Sequence, residues 1–241
     1  MSDLTLDILA FGVHPDDVEL SASGTLLKHI SQGKTVGLID LTEGELGTRG
    51  TVETRYAEAA KAKEILGAVI RENLKMADGF FTIDQPHFLK VIEKIRQYRP
   101  KVVLANAVSD RHPDHGRAGK LVAEACFLAG LRKIETFLNG ERQEAYRPKA
   151  VYHYIQDYTL QPDFVVDVTP FVEKKLASIQ AYSTQFYNPA SNEPSTPISG
   201  KEFMEYIKGR MLQNGRYIGV EYAEGFTVAR PIGVEDLTEL L

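Results

Sequence analysis

Four short apolar runs, at residues 6–13, 35–41, 72–76 and 102–105, alternate with stretches of helical periodicity at 18–32, 52–66, 86–98 and about 115–130. This alternation limits the fold more than any other feature of the 241-residue chain. Short apolar strands separated by helices of 10 to 15 residues are βαβ units, which build a parallel sheet with helices on its faces. Gly33 suits the end of the first helix, and Pro100 punctuates the entry to the fourth strand. The expectation is an α/β, Rossmann-like three-layer fold with a mainly parallel sheet flanked by helices.

The second half is less regular. Residues 151–155 and 164–168 read as strands. Thr169-Pro170 opens a helix running to about Tyr182, with proline at its first position. Residues 188–200 hold three prolines among small polar residues and read as a long loop, a lid or an interface arm. A helix at 202–214 and a last strand at 225–229 complete the pattern. No repeat or domain boundary interrupts it. The chain therefore reads as one domain, 1–241, with a doubly wound core at 1–130 and a C-terminal part at 131–241.

Charge and composition exclude several classes. The net charge is −5 and no basic run occurs, which disfavours a nucleic-acid partner, since that binding depends on neutralising phosphates. The polar lead at residues 1–10 lacks the charged and apolar regions of a signal peptide. No apolar run approaches the roughly 18 residues of a membrane span. The single cysteine, Cys126, lies in an apolar run and reads as a small buried hydrophobe. A cytoplasmic location follows as the expectation.

Two motifs carry the chemistry. His14-Pro15-Asp16-Asp17, with Glu19 beyond, lies where the first strand gives way to the first helix. Ligands of doubly wound sheets sit outside the carboxyl ends of the strands. A nucleotide-binding turn would carry glycines there; this one carries an imidazole and two carboxylates, which repel phosphate and suit a cation. Asp40, at the end of the second strand, imitates a ribose-binding acid but has no glycine loop beside it. The second motif, Asp110-Arg111-His112-Pro113-Asp114-His115, follows the fourth strand. Strands one and four are neighbours at the switch point of the Rossmann order, so both motifs converge on one crevice. Two imidazoles and a carboxylate are a common set for catalytic zinc. His-Pro-Asp is also what a capped helix start looks like, but its repetition after another strand of the right rank favours a site. His29, His87 and His153, standing alone, read as structural.

These segments, Val13 to Glu19 and His112 to His115, resemble the signatures of the PIG-L/LmbE-like zinc deacetylases. The stretches Thr42 to Thr51, Arg55 to Ala59 and Tyr222 to Phe226 resemble the branch serving bacillithiol biosynthesis, which deacetylates N-acetylglucosaminyl malate. Val13 departs from the alanine that many members carry. The resemblance implies one Zn2+, or Fe2+ or Mn2+ in the cell, on His14, Asp17 and His115. It implies Asp16 as general base, His112 as support for the tetrahedral intermediate, and Asp114 as the residue orienting a neighbouring imidazole. It also implies a homo-oligomer, trimer or hexamer. Glu45 is the candidate for sugar hydroxyls, and Arg49, Arg55 and Arg111 for the malate carboxylates, which match the arginine fork. Tyr182, Gln185 and Tyr217 are weaker candidates. The alternatives are deacetylation of another N-acetyl sugar or thiol conjugate, a metal phosphoesterase, and a non-enzymatic binding module.

Overall fold

The structure is a computed structural model that describes residues 4–240. The first three residues of the polar lead and the last residue of the chain lie outside the described residues.

The first half forms strands β1 (Ile8–Gly12), β2 (Val36–Thr42), β3 (Ile70–Met76) and β4 (Val102–Ala105). They alternate with helices α1 (Asp17–Ser31), α2 (Val52–Leu66), α3 (Gln85–Tyr98) and α4 (Pro113–Leu128). A small hairpin, β5 (Phe137–Leu138) and β6 (Glu141–Arg142), follows, which the sequence pattern did not announce. The second half adds β7 (Ala150–Tyr154), β8 (Phe164–Asp167), α5 (Val172–Gln180), α6 (Lys201–Arg216) and β9 (Ala223–Val228). Thr169-Pro170 opens a 3₁₀ turn, and the α-helix starts only at Val172. Residues 188–200 carry no regular element.

The seven-stranded sheet runs β3-β2-β1-β4-β7-β9-β8. The first five strands are parallel, and β9 pairs antiparallel with both β7 and β8. The three-layer α/β class is as the sequence implied, and β1 and β4 are neighbours as its strand ranking required. β1 is buried on both faces: Leu9 and Phe11 enter the core beneath α3 and α4, whereas Ile8 and Ala10 enter the core beneath α1. That double burial is why the strand reads as an unbroken apolar run.

Local chemistry sets the helix ends. Thr51 and Thr54 form a reciprocal capping box at α2, and Gly67 ends that helix in the left-handed conformation. Asp84 caps α3, and Arg99, left-handed before Pro100, stops it. The start of α1 is held differently. Lys175, 1 % exposed, donates to the carbonyls of Glu19 and Leu20 at 3.0 and 2.9 Å. Its partner Glu224 accepts from the amides of Gly24 and Thr25 at 2.9 and 2.7 Å. One buried ion pair thus grips a turn of α1 through both carbonyls and amides.

This grip needs Gly24. A Cβ there would stand 2.8 Å from Val168 and 3.0 Å from Glu224 Oε1. Gly24→Val should therefore destabilise the protein by about 1–3 kcal/mol, the usual cost of forcing extra carbons into a packed core. A denaturant-melt midpoint unchanged from the parent would contradict this packing account.

Candidate metal and catalytic site

The carboxyl ends of β1, β4 and β7 meet around Asp17, which is 2 % exposed. Its Oδ2 accepts from the amides of Val13 and His14 and from Asn106 Nδ2, each at 2.9 Å. Its Oδ1 accepts from Gln156 Nε2 at 3.1 Å and lies 3.2 Å from His115 Nε2. Burial pushes this carboxyl up, but the His115 charge and hydrogen bond, with His14, outweigh it and hold the pKa well below the usual carboxylate range.

His14 and His115 each have one nitrogen turned to an outer carboxylate. His14 Nε2 lies 2.9 Å from Asp78 Oδ1, and its Nδ1 lies 3.9 Å from Asp17 Oδ2. His115 Nδ1 bonds Asp110, and its Nε2 faces Asp17. A ring nitrogen that donates to an outer carboxylate leaves the lone pair on the other, which is how metal-binding histidines are oriented. In the neutral rings that a metal requires, both lone pairs face Asp17. The donor set fits a divalent transition metal: two oriented imidazoles and one carboxylate. The close donor groups among the described residues are His14 with His112 and His115, and His14 with Asp78 and Asp114; Asp17 belongs to neither.

Asp16 is the N-cap residue of α1, yet its side chain makes no cap hydrogen bond. Its φ of 124° is a conformation that non-glycine residues avoid, at a cost of about 1–3 kcal/mol. Asp17 collects the turn's amides instead, so the Asp16 carboxylate is left to the cleft. Burial pushes its pKa up to about 7, against the pull of Arg55, whose Nη1 lies 3.5 Å from Oδ2.

His112 caps α4, its Nδ1 accepting the Asp114 amide at 3.3 Å. Its proton therefore sits on Nε2. Burial, helped by the charges of His14 and His115, lowers its pKa, which favours the neutral imidazole. Its ring stands 4.7 Å from that of His14.

These groups line a cleft of about 220 Å³ together with Gly44, Leu46, Gly47, Gly79, Arg55 and Arg111. The other expected residues are placed differently. Asp114 orients no imidazole: its oxygens accept from Gly79 N at 2.7 Å and Arg117 Nη1 at 2.6 Å, and it stays 3.9 Å from His14 Nε2. Asp78 and Asp110 take that work. Glu45 is exposed and accepts the Asp78 amide at 2.7 Å, so it braces the Asp78 turn. Arg49 does not line the cleft. Its buried guanidinium bonds Ser191 and Glu193, tying the 188–200 loop to the turn before α2. Arg55 lines the cleft but is engaged with Pro15 O at 3.0 Å, Asp16 and Gln185. It holds the Asp16 carboxylate. Arg111, nearly half exposed and paired with Asp157, stands at the cleft with its charge within reach of solvent.

Sequence reasoning missed Asp78, Asn106 and Gln156. Asn106 follows directly on β4 and Gln156 lies two residues past β7, and that placement was their only signal. Asp40 binds Arg71 through both oxygens, at 2.7 and 2.8 Å, which accounts for the acid at the end of β2. Tyr182 donates to Glu19 at 3.2 Å, and Gln185 to Arg49 O at 2.7 Å; both support the site from behind.

The fold is of LmbE-like α/β architecture. Residues 9–126, which contain both histidine motifs, match the PIG-L family, described as GlcNAc-PI de-N-acetylase. The chain belongs to this family of deacetylases, hydrolases of carbon–nitrogen bonds. It is 34% identical to 1D-myo-inositol 2-acetamido-2-deoxy-alpha-D-glucopyranoside deacetylase of Mycobacterium sp. strain JLS, over 87% of this chain and 86% of that one. It is 28% identical to the probable N-acetyl-alpha-D-glucosaminyl L-malate deacetylase 2 of Bacillus anthracis, over 72% of this chain and 78% of that one. The solved structure of the conserved protein TT1542 from Thermus thermophilus superposes with a TM-score of 0.86 at 35% identity, covering 98% of this chain and all of the other.

Two outcomes are expected at the metal cluster. Asp78→Asn and Asp110→Asn should each weaken metal binding by roughly 10- to 100-fold in chelator competition, the usual effect of losing an outer carboxylate. His115 has its pKa raised to about 10, the Asp17 and Asp110 partners outweighing the opposing effect of burial. Its imidazolium persists below that value, and a metal requires the neutral ring. Apparent affinity of the chelator-stripped protein should therefore rise as pH climbs towards about 10, with proton release on binding. A flat affinity profile would contradict the sign.

Proposed function

We propose that the protein hydrolyses the N-acetyl group of an N-acetylglucosamine conjugate, with N-acetylglucosaminyl malate as substrate and glucosaminyl malate and acetate as products. The reading rests on one juxtaposition: a base-like carboxylate, Asp16, shares a 220 Å³ cleft with the donor cluster and with Arg111. The Bacillus anthracis relative, named for this substrate, supports the malate assignment.

In this reading His14, Asp17 and His115 hold the metal, and two imidazoles with one carboxylate favour zinc; iron(II) or manganese fit the same ligands. When bound, the metal supplies Lewis acidity to water and to the acetyl carbonyl. Asp16, with its pKa near the operating pH, takes a proton from the attacking water and returns it to the leaving amine. Arg55 holds that carboxylate in place. His112 donates its Nε2 proton as a hydrogen bond to the oxyanion. Losing such a donor costs on the order of 100- to 1000-fold in rate. Arg111 binds a malate carboxylate by exchanging its pairing with Asp157, since the guanidinium fork suits either carboxylate. Glu45 and Arg49 are left out of substrate binding in this scheme, and Asp114 out of the chemistry. A cytoplasmic homo-oligomer, trimer or hexamer, belongs to the same reading. No helix among the described residues is long and apolar enough to cross a membrane.

The test is release of free amine from N-acetylglucosaminyl malate against plain N-acetylglucosamine, with zinc-loaded protein. A strong preference for the malate conjugate is expected, and equal rates would remove the malate assignment. Arg111→Gln should raise KM for the conjugate by roughly tenfold, the worth of a charge-assisted hydrogen bond, and leave N-acetylglucosamine hydrolysis little changed. Asp16→Asn should retain the metal by elemental analysis while losing most activity; loss of both together would remove Asp16 as the base.

A further inference from the structure

The loop after β7 faces two ways. Gln156 and Asp157 turn to the cleft, on Asp17 and Arg111, whereas Ile155 and Thr159 to Gln161 line a second cavity of about 290 Å³ against α6. The helix side of that cavity presents Arg210, Gln213, Asn214 and Tyr217.

Arg210 is half-buried, and the covered part of its surroundings lowers its pKa despite the acidic groups at longer range. Among the described residues its one hydrogen-bond acceptor is the Leu20 carbonyl at 3.2 Å, already shared with Lys175 at 2.9 Å, and no carboxylate forms an ion pair with it. The Tyr206 ring, 5.7 Å away, adds a cation–π contact. The more deeply buried cations are provided for. Arg71 has Glu19 and Asp40, Arg55 has Asp16, and Lys175 has Glu224. Arg96 has no carboxylate either, but places its N–H groups on three carbonyls and the Thr136 hydroxyl. A half-buried guanidinium with a single shared acceptor has N–H groups left to offer the cavity it lines. Asn214 makes the same point independently: it is 8 % exposed, its amide has no hydrogen-bond partner among the described residues, and it lines the same cavity.

We propose that this cavity is a binding site for a small oxoanion, a carboxylate or a phosphate, seated on the Arg210 guanidinium with the Gln213 and Asn214 amides donating to it. The guanidinium fork matches the oxygens of either group. The site is separate from the hydrolytic cleft but shares the 155–161 loop with it. Tyr206, one turn before Arg210 on α6, bonds the carbonyl of Asp157, so an occupant bears on the residue that pairs with Arg111.

The experiment is isothermal titration of the metal-loaded full-length protein with succinate and, separately, with inorganic phosphate. Saturable binding of at least one is expected; which of the two binds identifies the carboxylate or the phosphate as the ligand chemistry. Arg210→Gln should weaken that binding by roughly tenfold or more, the worth of a charge-assisted hydrogen bond. Gln213→Leu, at an exposed position where folding is not at stake, should weaken it in the same direction. Absence of binding by both anions, or binding that Gln213→Leu and a folded Arg210→Gln leave intact, overturns the proposal.

Discussion

A carboxylate removed from water has to be surrounded by donors, and Asp17 is the place where this chain meets that demand. Its two oxygens draw on the turn after β1, on Asn106 at the end of β4, on Gln156 after β7 and on His115 in α4. Satisfying one side chain therefore fixes four segments of the chain against one another. The candidate metal site is thus the joint at which the strand ends are held, and the same hydrogen bonds that hold the joint aim the imidazoles.

Behind that joint lies a layer of buried charge. Arg71 links Glu19 on α1 to Asp40 on β2, and Lys175 with Glu224 ties the same helix to α5 and β9. Buried ion pairs gain little over well-packed apolar residues, but leaving one partner alone costs about 3–5 kcal/mol. Their effect is to penalise any arrangement in which α1 sits elsewhere. That rigidity is what maintains Asp16 in its strained backbone conformation with its carboxylate turned away from the helix cap. Arg55 and, behind it, Gln185 complete the support, so a residue beyond α5 braces the turn after β1.

The legible part of the site was the part written as local chemistry. His-Pro-Asp signals a helix start, and His112 does cap α4; that motif serves both capping and the cluster, because the helix start lies at a strand's carboxyl end. The supporting residues had no such signal. Asp78 lies in the turn after β3, 64 residues from the histidine it orients, and an isolated aspartate in a turn looks like any other. Arginine was misleading for a related reason. Arg49 and Arg55 both occur in the polar, glycine-rich region expected to face substrate, but the fold carries the 183–193 segment across them and engages their guanidinium groups. Only Arg111 is left at the cleft with substantial exposure.

The sequence by itself determined the layered α/β architecture, the neighbouring ranks of β1 and β4, and the convergence of two histidine motifs on one crevice. Those follow from periodicity and from residue types adjacent in the chain. Tertiary structure alone decided which nitrogen of each imidazole is free, which carboxylate is left uncapped, that the acid at the end of β2 answers Arg71, and that Arg210 is short of a partner. Each of these depends on groups brought together from distant segments. A charge buried among them is settled by the partners the fold supplies, and no local pattern encodes those partners.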